Sequence, residues 1–465
     1  MVFSSGVFLI LFLPLVLLVY FNPLVRSLRF KNCWLLLGSL VFYAWGEPEF
    51  VFTMIALIFL NWLLALGVGS DMPRMRKTLM LLAVILDISV LFIFKYLNFV
   101  ADNFNRFLGI RVQIPEISLP IGISFFTFQI LSYVLDVYYR RADPAKNPLH
   151  VALYASMFPQ LVAGPIVRYS TVCAEIQSRH TSWDDFAAGV RRFTVGLAKK
   201  VLLADMLVRV ADEIFLTAGL YSEVTVLSAW IGALAYTLQI YFDFSGYSDM
   251  AIGLGRLFGF HFEENFDHPY ISRSISEFWK RWHISLTNWF RDYIYIPLGG
   301  NRCSKRRHIL NLFIVWLLTG IWHGANWTFI LWGLLYFILQ YIEKTFLKKR
   351  LPGWIGWAYT FLCVTVCWVI FQSASINDAF MYIGKMFGIG VNLFDKFSVS
   401  FLAGSWKLFL AAAICCIPWK NLQLAGRIPP VVRNVIGQLA IALLFLLSVL
   451  TVINGNFSPF IYFNF

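Results

Sequence analysis

Residues 274–293 of this chain read SISEFWKRWHISLTNWFRDY. Plotted at 100° per residue, the apolar side chains of this stretch share one arc of roughly 120°, which predicts an amphipathic helix. These side chains are Ile275, Phe278, Trp279, Trp282, Leu286, Trp289, Phe290 and Tyr293. Ser274 with Glu277 three positions later fits a capping box, which gives the helix a defined start. Ile284 breaks the pattern, and His283 falls at the edge of the apolar arc.

The rest of the chain has the composition of a membrane protein. Hydrophobic residues make up 59% of the 465 residues and charged residues only 14%, whereas soluble domains are about a quarter charged. The net charge of +13 comes from Lys and Arg in short loops between apolar runs, where they orient membrane helices. The charge therefore indicates a lipid bilayer and not nucleic acid.

The apolar runs that reach or approach the roughly 20 residues needed to cross a bilayer predict about ten to twelve crossings. They cover about residues 5–22, 33–46, 50–69, 78–97, 119–138, 224–243, 309–341, 354–371, 401–417 and 434–453. The run 309–341 is long enough for two passes broken between Gly320 and Asn326. The first run has no positive charge before it and no cleavage signal before Arg26, so we expect it to stay attached.

Basic clusters predict the orientation of these crossings. They lie at residues 26–31, 74–77, 140–146, 199–200, 302–307, 344–350 and 420–433. Since positive loops face the cytoplasm, both termini are expected outside it.

The stretch MFPQLVAGPIVRY (157–169) is too short and too broken by Pro159, Gly164 and Pro165 to span. We expect a re-entrant or interfacial segment next to an internal cavity, because irregular backbone at membrane depth must be enclosed by protein or water. No linker separates soluble domains, so one membrane domain over residues 1–465 is predicted.

His323 lies inside an apolar run, in LTGIWHGANW (318–327). An ionisable side chain at that depth is a functional candidate, and Gly320 and Gly324 would let the backbone bend and a substrate approach. A neutral histidine bonded between helices is an equal alternative. For His283 alone a structural role is favoured, and spacing does not show whether the two histidines converge.

Two acidic segments have structural alternatives. In QIYFDFSGYSDMAIG (239–253), Asp243 and Asp249 flank Gly246, which favours a helix break whose polar groups bond freed backbone; the alternative is that they line a polar cavity. HFEENFDH (261–268) offers metal-ligand residue types without a recognised spacing, and the seven cysteines form no paired framework. Neither a metal site nor a disulfide is therefore predicted.

The segment PLGGNR (297–302) is followed by a basic loop that includes Lys305 and Arg306. It is not a Walker loop, yet Arg and Lys attract phosphates, so it is either a phosphate-binding rim or only a topology signal. No Gly-x-Ser-x-Gly elbow is present. A histidine base acting on a hydroxyl is therefore favoured over covalent serine or cysteine catalysis.

Several long segments resemble the membrane-bound O-acyltransferase family, in the family's order and most strongly over residues 120–335. They are PIGISFFTFQILSYVLDVYYR (120–140), FPQLVAGPIVRY (158–169), VGLAKKVLLAD (195–205), YFDFSGYSDMAIGLGRLFGF (241–260), NFDHPYISRSISEFWKRWHISLTNWFRDYIYIPLGGNR (265–302), LTGIWHGANWTFILWG (318–333) and FIYF (460–463). Within the family they look most like the branch that O-acetylates alginate, other secreted polysaccharides or peptidoglycan. The D-alanyl transferases of lipoteichoic acid share much of the pattern.

The resemblance implies an all-α polytopic fold whose helices, with amphipathic and re-entrant segments, enclose a transmembrane tunnel. The family's two histidines match His323, in Trp-His-Gly, and His283, in Arg-Trp-His-Ile-Ser. The side chains expected along the tunnel are Asp243, Asp249, Trp322, Trp282 and Arg281. The side chains expected to contact phosphates of the donor are Arg302, Lys305 and Arg306.

The resemblance also implies acetyl transfer in a bacterial inner membrane, with acetyl-CoA or another acyl thioester as the cytoplasmic donor and no permanently bound cofactor. His323 would activate a hydroxyl, and His283 would position the thioester or stabilise charge. The acceptor would be a serine of an extracytoplasmic hydrolase-like (SGNH-type) acetyltransferase, or another hydroxyl. The alternatives are a transporter that uses His323, Asp243 and Asp249 as pathway residues, and a scaffold that recruits a soluble acetyltransferase.

Overall fold

A computed structural model describes residues 1–109, 114–115, 117–220, 224–347, 351–419, 429–455 and 459–460. Throughout these residues the regular structure is helical, without a β-strand. The all-α prediction is confirmed. The basic residues at 348–350 and 420–428, and the FIYF ending beyond Phe460, lie outside the described residues.

The chain divides into two compact units. The first comprises residues 1–193 and 247–263, and the second comprises 194–246 and 264–465. The first unit contains α1 (Leu13–Tyr20), α2 (Leu28–Ala44), α3 (Phe50–Val68), α4 (Pro73–Leu91), α5 (Leu97–Leu108), α6 (Ile123–Tyr138), α7 (Pro148–Ser156), α8 (Phe158–Leu161), α9 (Tyr169–Gln177) and most of α10 (Trp183–Ala198).

The second unit holds the elements around the two histidines. It contains α11 (Asp205–Leu220), most of α12 (Val226–Leu257), α13 (Ile275–Arg281), α14 (Ile284–Phe290), α15 (Lys305–His323), α16 (Trp327–Thr345), α17 (Gly353–Gln372), α18 (Ile376–Met386), α19 (Lys396–Cys415) and α20 (Pro430–Ile453). π-helical turns adjoin several of these helices, at Val7–Phe12, Phe92–Tyr96, Lys199–Ala204 and Arg291–Tyr295, and a 3-10 turn covers Pro269–Ile271.

Five helices in the described part of the chain are long and apolar enough to cross a membrane. They cover Phe50–Val68, Pro73–Leu108, Gly353–Gln372, Lys396–Cys415 and Val431–Ile453, and shorter apolar helices cover Val7–Tyr20 and Ile123–Tyr138. Their large exposed side chains, such as Phe52 and Leu439, are what lipid-facing surfaces require. The total number of crossings stays a prediction.

The stretch 157–169 is short and enclosed by protein. It forms α8 and then an irregular segment, and every residue from 153 to 167 is buried. A Cβ on Gly164 would lie 2.5 Å from Cα of Gln160, so only glycine permits this close turn. The predicted re-entrant segment requires such enclosure.

The predicted helix break around Gly246 is wrong. Helix α12 runs without interruption through this position. A Cβ on Gly246 would lie 2.8 Å from the carbonyl oxygen of Gly196 and 3.2 Å from Cβ of Lys199. The glycine therefore permits close packing of two backbones and does not bend the helix.

The predicted break in the run 309–341 is confirmed. Helix α15 ends at His323, and α16 begins after Asn326, whose side chain accepts a hydrogen bond from the Thr328 backbone at 3.1 Å. The two helices pack through Gly320 and Gly333, where either Cβ would come within 2.5 Å of a carbonyl oxygen on the opposite helix. His323 therefore lies at the end of α15, just before the turn that joins these two closely packed helices.

Candidate active site

The prediction of one helix over residues 274–293 is wrong at its centre. Ser274 does cap α13, accepting from the Glu277 backbone at 3.0 Å, and all the predicted apolar side chains are buried. The helix nevertheless ends at Arg281, and α14 starts at Ile284. Between them His283 has φ +44°, ψ +55°, a left-handed conformation that costs a non-glycine residue about 1–2 kcal/mol.

Asn265 explains the break. Its backbone carbonyl accepts from the Ile284 N–H at 2.9 Å, and its side-chain Oδ1 accepts from the Ser285 N–H at 3.2 Å. These two N–H groups belong to the first turn of α14. The N–H groups of a first turn have no acceptor within their own helix. Because Asn265 supplies the acceptors from a distant segment, α14 starts anew and the turn at His283 is held in place.

The same oxygen determines where the proton of His283 sits. Oδ1 of Asn265 lies 3.1 Å from Nδ1 of His283 and accepts from the Ser285 hydroxyl at 2.9 Å. Since a backbone N–H can only donate, the atom facing Ser285 is the amide oxygen, and Nδ1 must carry the proton. In a neutral ring Nε2 is then the unprotonated nitrogen.

His283 is fully buried, with 0% of its surface exposed. It does not lie at the solvent-exposed edge of an apolar face, as the sequence pattern predicted. It lies outside the five apolar spans, and burial lowers its pKa to about 3. The imidazole is therefore neutral at physiological pH.

His323 is 4% exposed and surrounded by aromatic rings from three helices. Its ring centroid lies 4.9 Å from that of Trp332 on α16 and 5.2 Å from that of Phe371 on α17, both edge-on. The Phe329 ring occupies the space next to Gly324, so a Cβ at position 324 would clash with this ring. Buried aromatic surroundings of this kind strengthen any electrostatic contact that His323 makes.

Trp322 brings the two histidines together. Its ring centroid lies 5.0 Å from that of His323 and 6.1 Å from that of His283. The two imidazoles therefore flank one buried indole, and their centroids are separated by no more than the sum of these distances. Phe244 of α12 also packs edge-on against His283, with the two ring centroids 4.7 Å apart.

The other expected tunnel residues have definite partners. Asp243 pairs at 2.8 Å with buried Lys200, which also pairs with Asp205 at 2.8 Å. In the first unit, Asp249 pairs with Arg192 at 2.6 Å. These are buried or partly buried ion pairs that stabilise the folded chain only while both partners remain.

Arg281 and Trp282 come just before the turn at His283, and their side chains lie in different environments. Trp282 is buried, with its ring centroid 4.9 Å from that of Trp368 and stacked on Phe278 at 5.5 Å. Arg281 pairs with Asp267 at 2.8 Å and Glu277 at 3.2 Å. Trp282 therefore belongs to the buried aromatic cluster, and Arg281 connects α13 to the segment that carries Asn265.

Two basic surfaces are available to an anionic group. Arg302, Lys305 and Arg306 are all exposed in the turn before α15 and in its first residues. A separate cleft of about 810 Å³ lies along the polar face of α13, beside α16, and its basic lining residues are Arg273, Lys280, Arg281 and Lys344. The acidic side chains Glu277 and Glu343 also line this cleft, which makes it the less favourable anion site of the two.

In the HFEENFDH segment, His261 pairs with acidic side chains of the fold. In the first unit His261 contacts Glu175 at 2.8 Å and Asp185 at 3.4 Å. Among the described residues no group of three or more His, Cys, Asp or Glu side chains is arranged to hold a metal ion. Asn265 is the site residue that sequence reasoning missed; the only local signal was the misfit of Ile284 in the helical pattern.

Comparisons with known proteins show which family the chain belongs to. The sequence profile described as MBOAT, membrane-bound O-acyltransferase family, matches residues 139–377. The chain is 39% identical to the probable alginate O-acetylase AlgI of Pseudomonas putida, over 100% of both chains. It is 43% identical to the protein of the same name in Pseudomonas aeruginosa, over 84% of this chain and 75% of that one.

This chain is also similar to a relative whose name gives a different polymer, peptidoglycan. The peptidoglycan O-acetyltransferase of Helicobacter pylori is 35% identical, over 84% of this chain and 81% of the relative. Together with the apolar helices, these similarities identify a multi-pass membrane protein and favour an enzyme over a transporter or a scaffold. The chain belongs to the membrane-bound O-acyltransferase family.

Proposed function

We propose that this membrane O-acyltransferase takes an acetyl group from a cytoplasmic thioester, such as acetyl-CoA, and passes it to a hydroxyl for O-acetylation of an exported polysaccharide. The observation that carries the proposal is the meeting of His283 and His323 at Trp322 in a chain of this family. The named polymers of the relatives favour alginate or a similar polysaccharide, with peptidoglycan as the second candidate.

In the proposed transfer, His323 acts as the general base. Its unprotonated nitrogen accepts the proton of the acceptor hydroxyl while the hydroxyl oxygen attacks the thioester carbonyl carbon. A C–O bond forms, the C–S bond breaks, and the leaving thiolate takes the proton back from the imidazolium. The aromatic rings around His323 exclude water, which would otherwise hydrolyse the donor.

His283 positions the thioester in this scheme. A neutral ring with its proton on Nδ1 offers Nε2 to an N–H group of the donor. The alternative role, stabilising negative charge, needs an N–H or a positive charge at the substrate. The Nδ1 proton of His283 faces Asn265 instead, and the lowered pKa disfavours a charged ring. Holding the donor in a fixed geometry is itself a large contribution to rate.

We assign the donor phosphates to Arg302, Lys305 and Arg306, which are exposed and clustered. Reversing all three charges to Glu should raise the KM for the donor about tenfold with little change in kcat, because charge-assisted phosphate contacts are lost. The control reverses Arg273 and Lys280 in the cleft. If the control raises KM and the triple variant does not, the assignment is wrong.

The acceptor in this proposal is a serine of an extracytoplasmic hydrolase-like (SGNH-type) acetyltransferase, or a polymer hydroxyl directly. The chain would lie in the bacterial inner membrane with both termini outside the cytoplasm. Cysteine accessibility at residues near each terminus, probed with a membrane-impermeant reagent in intact cells, tests that orientation. Labelling only after lysis would contradict it.

The proposed function is tested in cells by the acetylation of the exported polymer. His323→Ala and His283→Ala should each abolish it while the protein remains in the membrane at normal level. His308→Ala, on the same helix α15, is the matched control and should leave it unchanged. Wild-type acetylation in His323→Ala cells would show that the assigned base is wrong.

A further inference from the structure

A single buried amide links the fold of the site to the protonation of its histidine. Asn265 is fully buried, and its Oδ1 accepts from the Ser285 N–H, the Ser285 hydroxyl and Nδ1 of His283. The amide therefore serves both the left-handed turn at His283 and the ring of that residue.

Two backbone bonds of this arrangement do not need the Asn265 side chain. The Ile284 N–H already bonds to the Asn265 carbonyl at 2.9 Å, and the Asp267 N–H bonds to the Arg281 carbonyl at 2.9 Å. Any residue at position 265 could keep these two bonds. The carboxamide oxygen adds an acceptor for the N–H and hydroxyl of Ser285 and for Nδ1 of His283. A hydrogen-bond partner on the second ring nitrogen fixes the tautomer and orientation of a functional histidine.

We infer that Asn265 is a positioning residue for acyl transfer: its carboxamide oxygen holds the Nδ1 proton of His283 and so presents the unprotonated Nε2 to the substrate. The assignment of His283 to the donor rests on the proposed function. The tautomer itself does not, because it follows from the bonds that Asn265 makes.

The test compares Asn265→Ala with Asn265→Asp in the purified full chain. Alanine removes the acceptor, whereas a carboxylate of the same shape accepts all three bonds. Histidine-selective ¹⁵N NMR reports which ring nitrogen of His283 is protonated, with His283→Ala used to assign its signals. Steady-state kinetics with acetyl-CoA and a hydroxyl acceptor report kcat and KM per folded molecule.

We expect Asn265→Ala to lose the Nδ1–H tautomer and to lower kcat/KM for the donor about 10- to 100-fold, by analogy with the hydrogen-bond partners of metal-binding histidines. Asn265→Asp should restore both. The matched control is Asn61→Ala, which removes an equally buried amide that donates to Leu57 and Asp87 in the first unit. It should lower stability without lowering kcat/KM per folded molecule.

Each outcome decides one claim. A wild-type tautomer and wild-type kcat/KM in Asn265→Ala overturn the inference, as does a loss in Asn265→Asp equal to that in Asn265→Ala. If Asn265→Ala does not fold, the tautomer and activity of Asn265→Asp still decide, since its failure to match the wild type overturns the inference. Full activity in His283→Ala refutes the proposed donor role instead and leaves the tautomer measurement valid.

Discussion

Gly320→Ala should lower the rate of acyl transfer although residue 320 carries no side chain. A Cβ at this position would lie 2.5 Å from the carbonyl oxygen of Phe329 on α16, whereas carbon–oxygen contacts settle at about 3.3 Å. Helices α15 and α16 must therefore separate locally by about 0.8 Å. His323, at the end of the same helix, would move by a similar distance.

The expected magnitudes follow from this displacement. A shift of about 1 Å at a reacting group costs roughly 100-fold in rate, so we expect a kcat loss between about 10- and 100-fold. Overpacking costs about 1–3 kcal/mol and alanine's helix propensity returns about 1 kcal/mol, so the free energy of unfolding should fall by no more than about 2 kcal/mol.

The assay measures donor consumption and thermal unfolding of purified Gly320→Ala. Gly404→Ala, in apolar helix α19 with no heavy atom within 4 Å of the added Cβ, is the matched control and should retain kcat and slightly raise Tm. Wild-type kcat in Gly320→Ala would refute the argument that close packing of α15 on α16 places His323.

Two further predictions concern charges. Lys200→Met should lower the free energy of unfolding by about 3–5 kcal/mol, because the buried carboxylates of Asp205 and Asp243 each lose their ion pair with Lys200; denaturant unfolding should show recovery when both are also changed to Asn, and equal stability of the two variants would argue against the pairing. The pKa of His261 is raised, first by its hydrogen bond to Glu175. Its contribution to stability is therefore full below the unfolded pKa of about 6.5 and is lost as pH rises through the folded pKa. His261→Asn should flatten that part of the Tm–pH curve, and an unchanged slope would count against the assignment.

Local signals in the sequence were sufficient for some elements. The Ser274 cap and the break before Asn326 depend on side chains that bond within two or three residues, so both could be predicted. The break at His283 could not, because the acceptors that restart α14 belong to Asn265, in a separate segment. Gly246 misled for a related reason: a glycine that permits close packing and one that bends a helix look alike in sequence.

The candidate site was predicted in its parts but not in its arrangement. His323 was a candidate from its depth in an apolar run, His283 became one through the family resemblance, and Trp322 was expected only to line a tunnel. Their convergence depends on how α15, α16 and α17 pack, through contacts at Gly320 and Gly333 that no spacing encodes. Asp243 and Asp249 were chosen as acids in an apolar run, and the cations that pair with them come from other segments of the chain.

In the proposed function, the two histidines beside Trp322 perform acyl transfer. The most direct measurement is the rate of thioester cleavage by the purified chain in lipid vesicles, with acetyl-CoA and a hydroxyl acceptor, coupled to detection of the acetylated product. We predict acceptor-dependent turnover by the wild type and a loss of at least about 100-fold in His323→Ala, the lower range for removal of a general base. Equal turnover by the folded His323→Ala variant would contradict the claim.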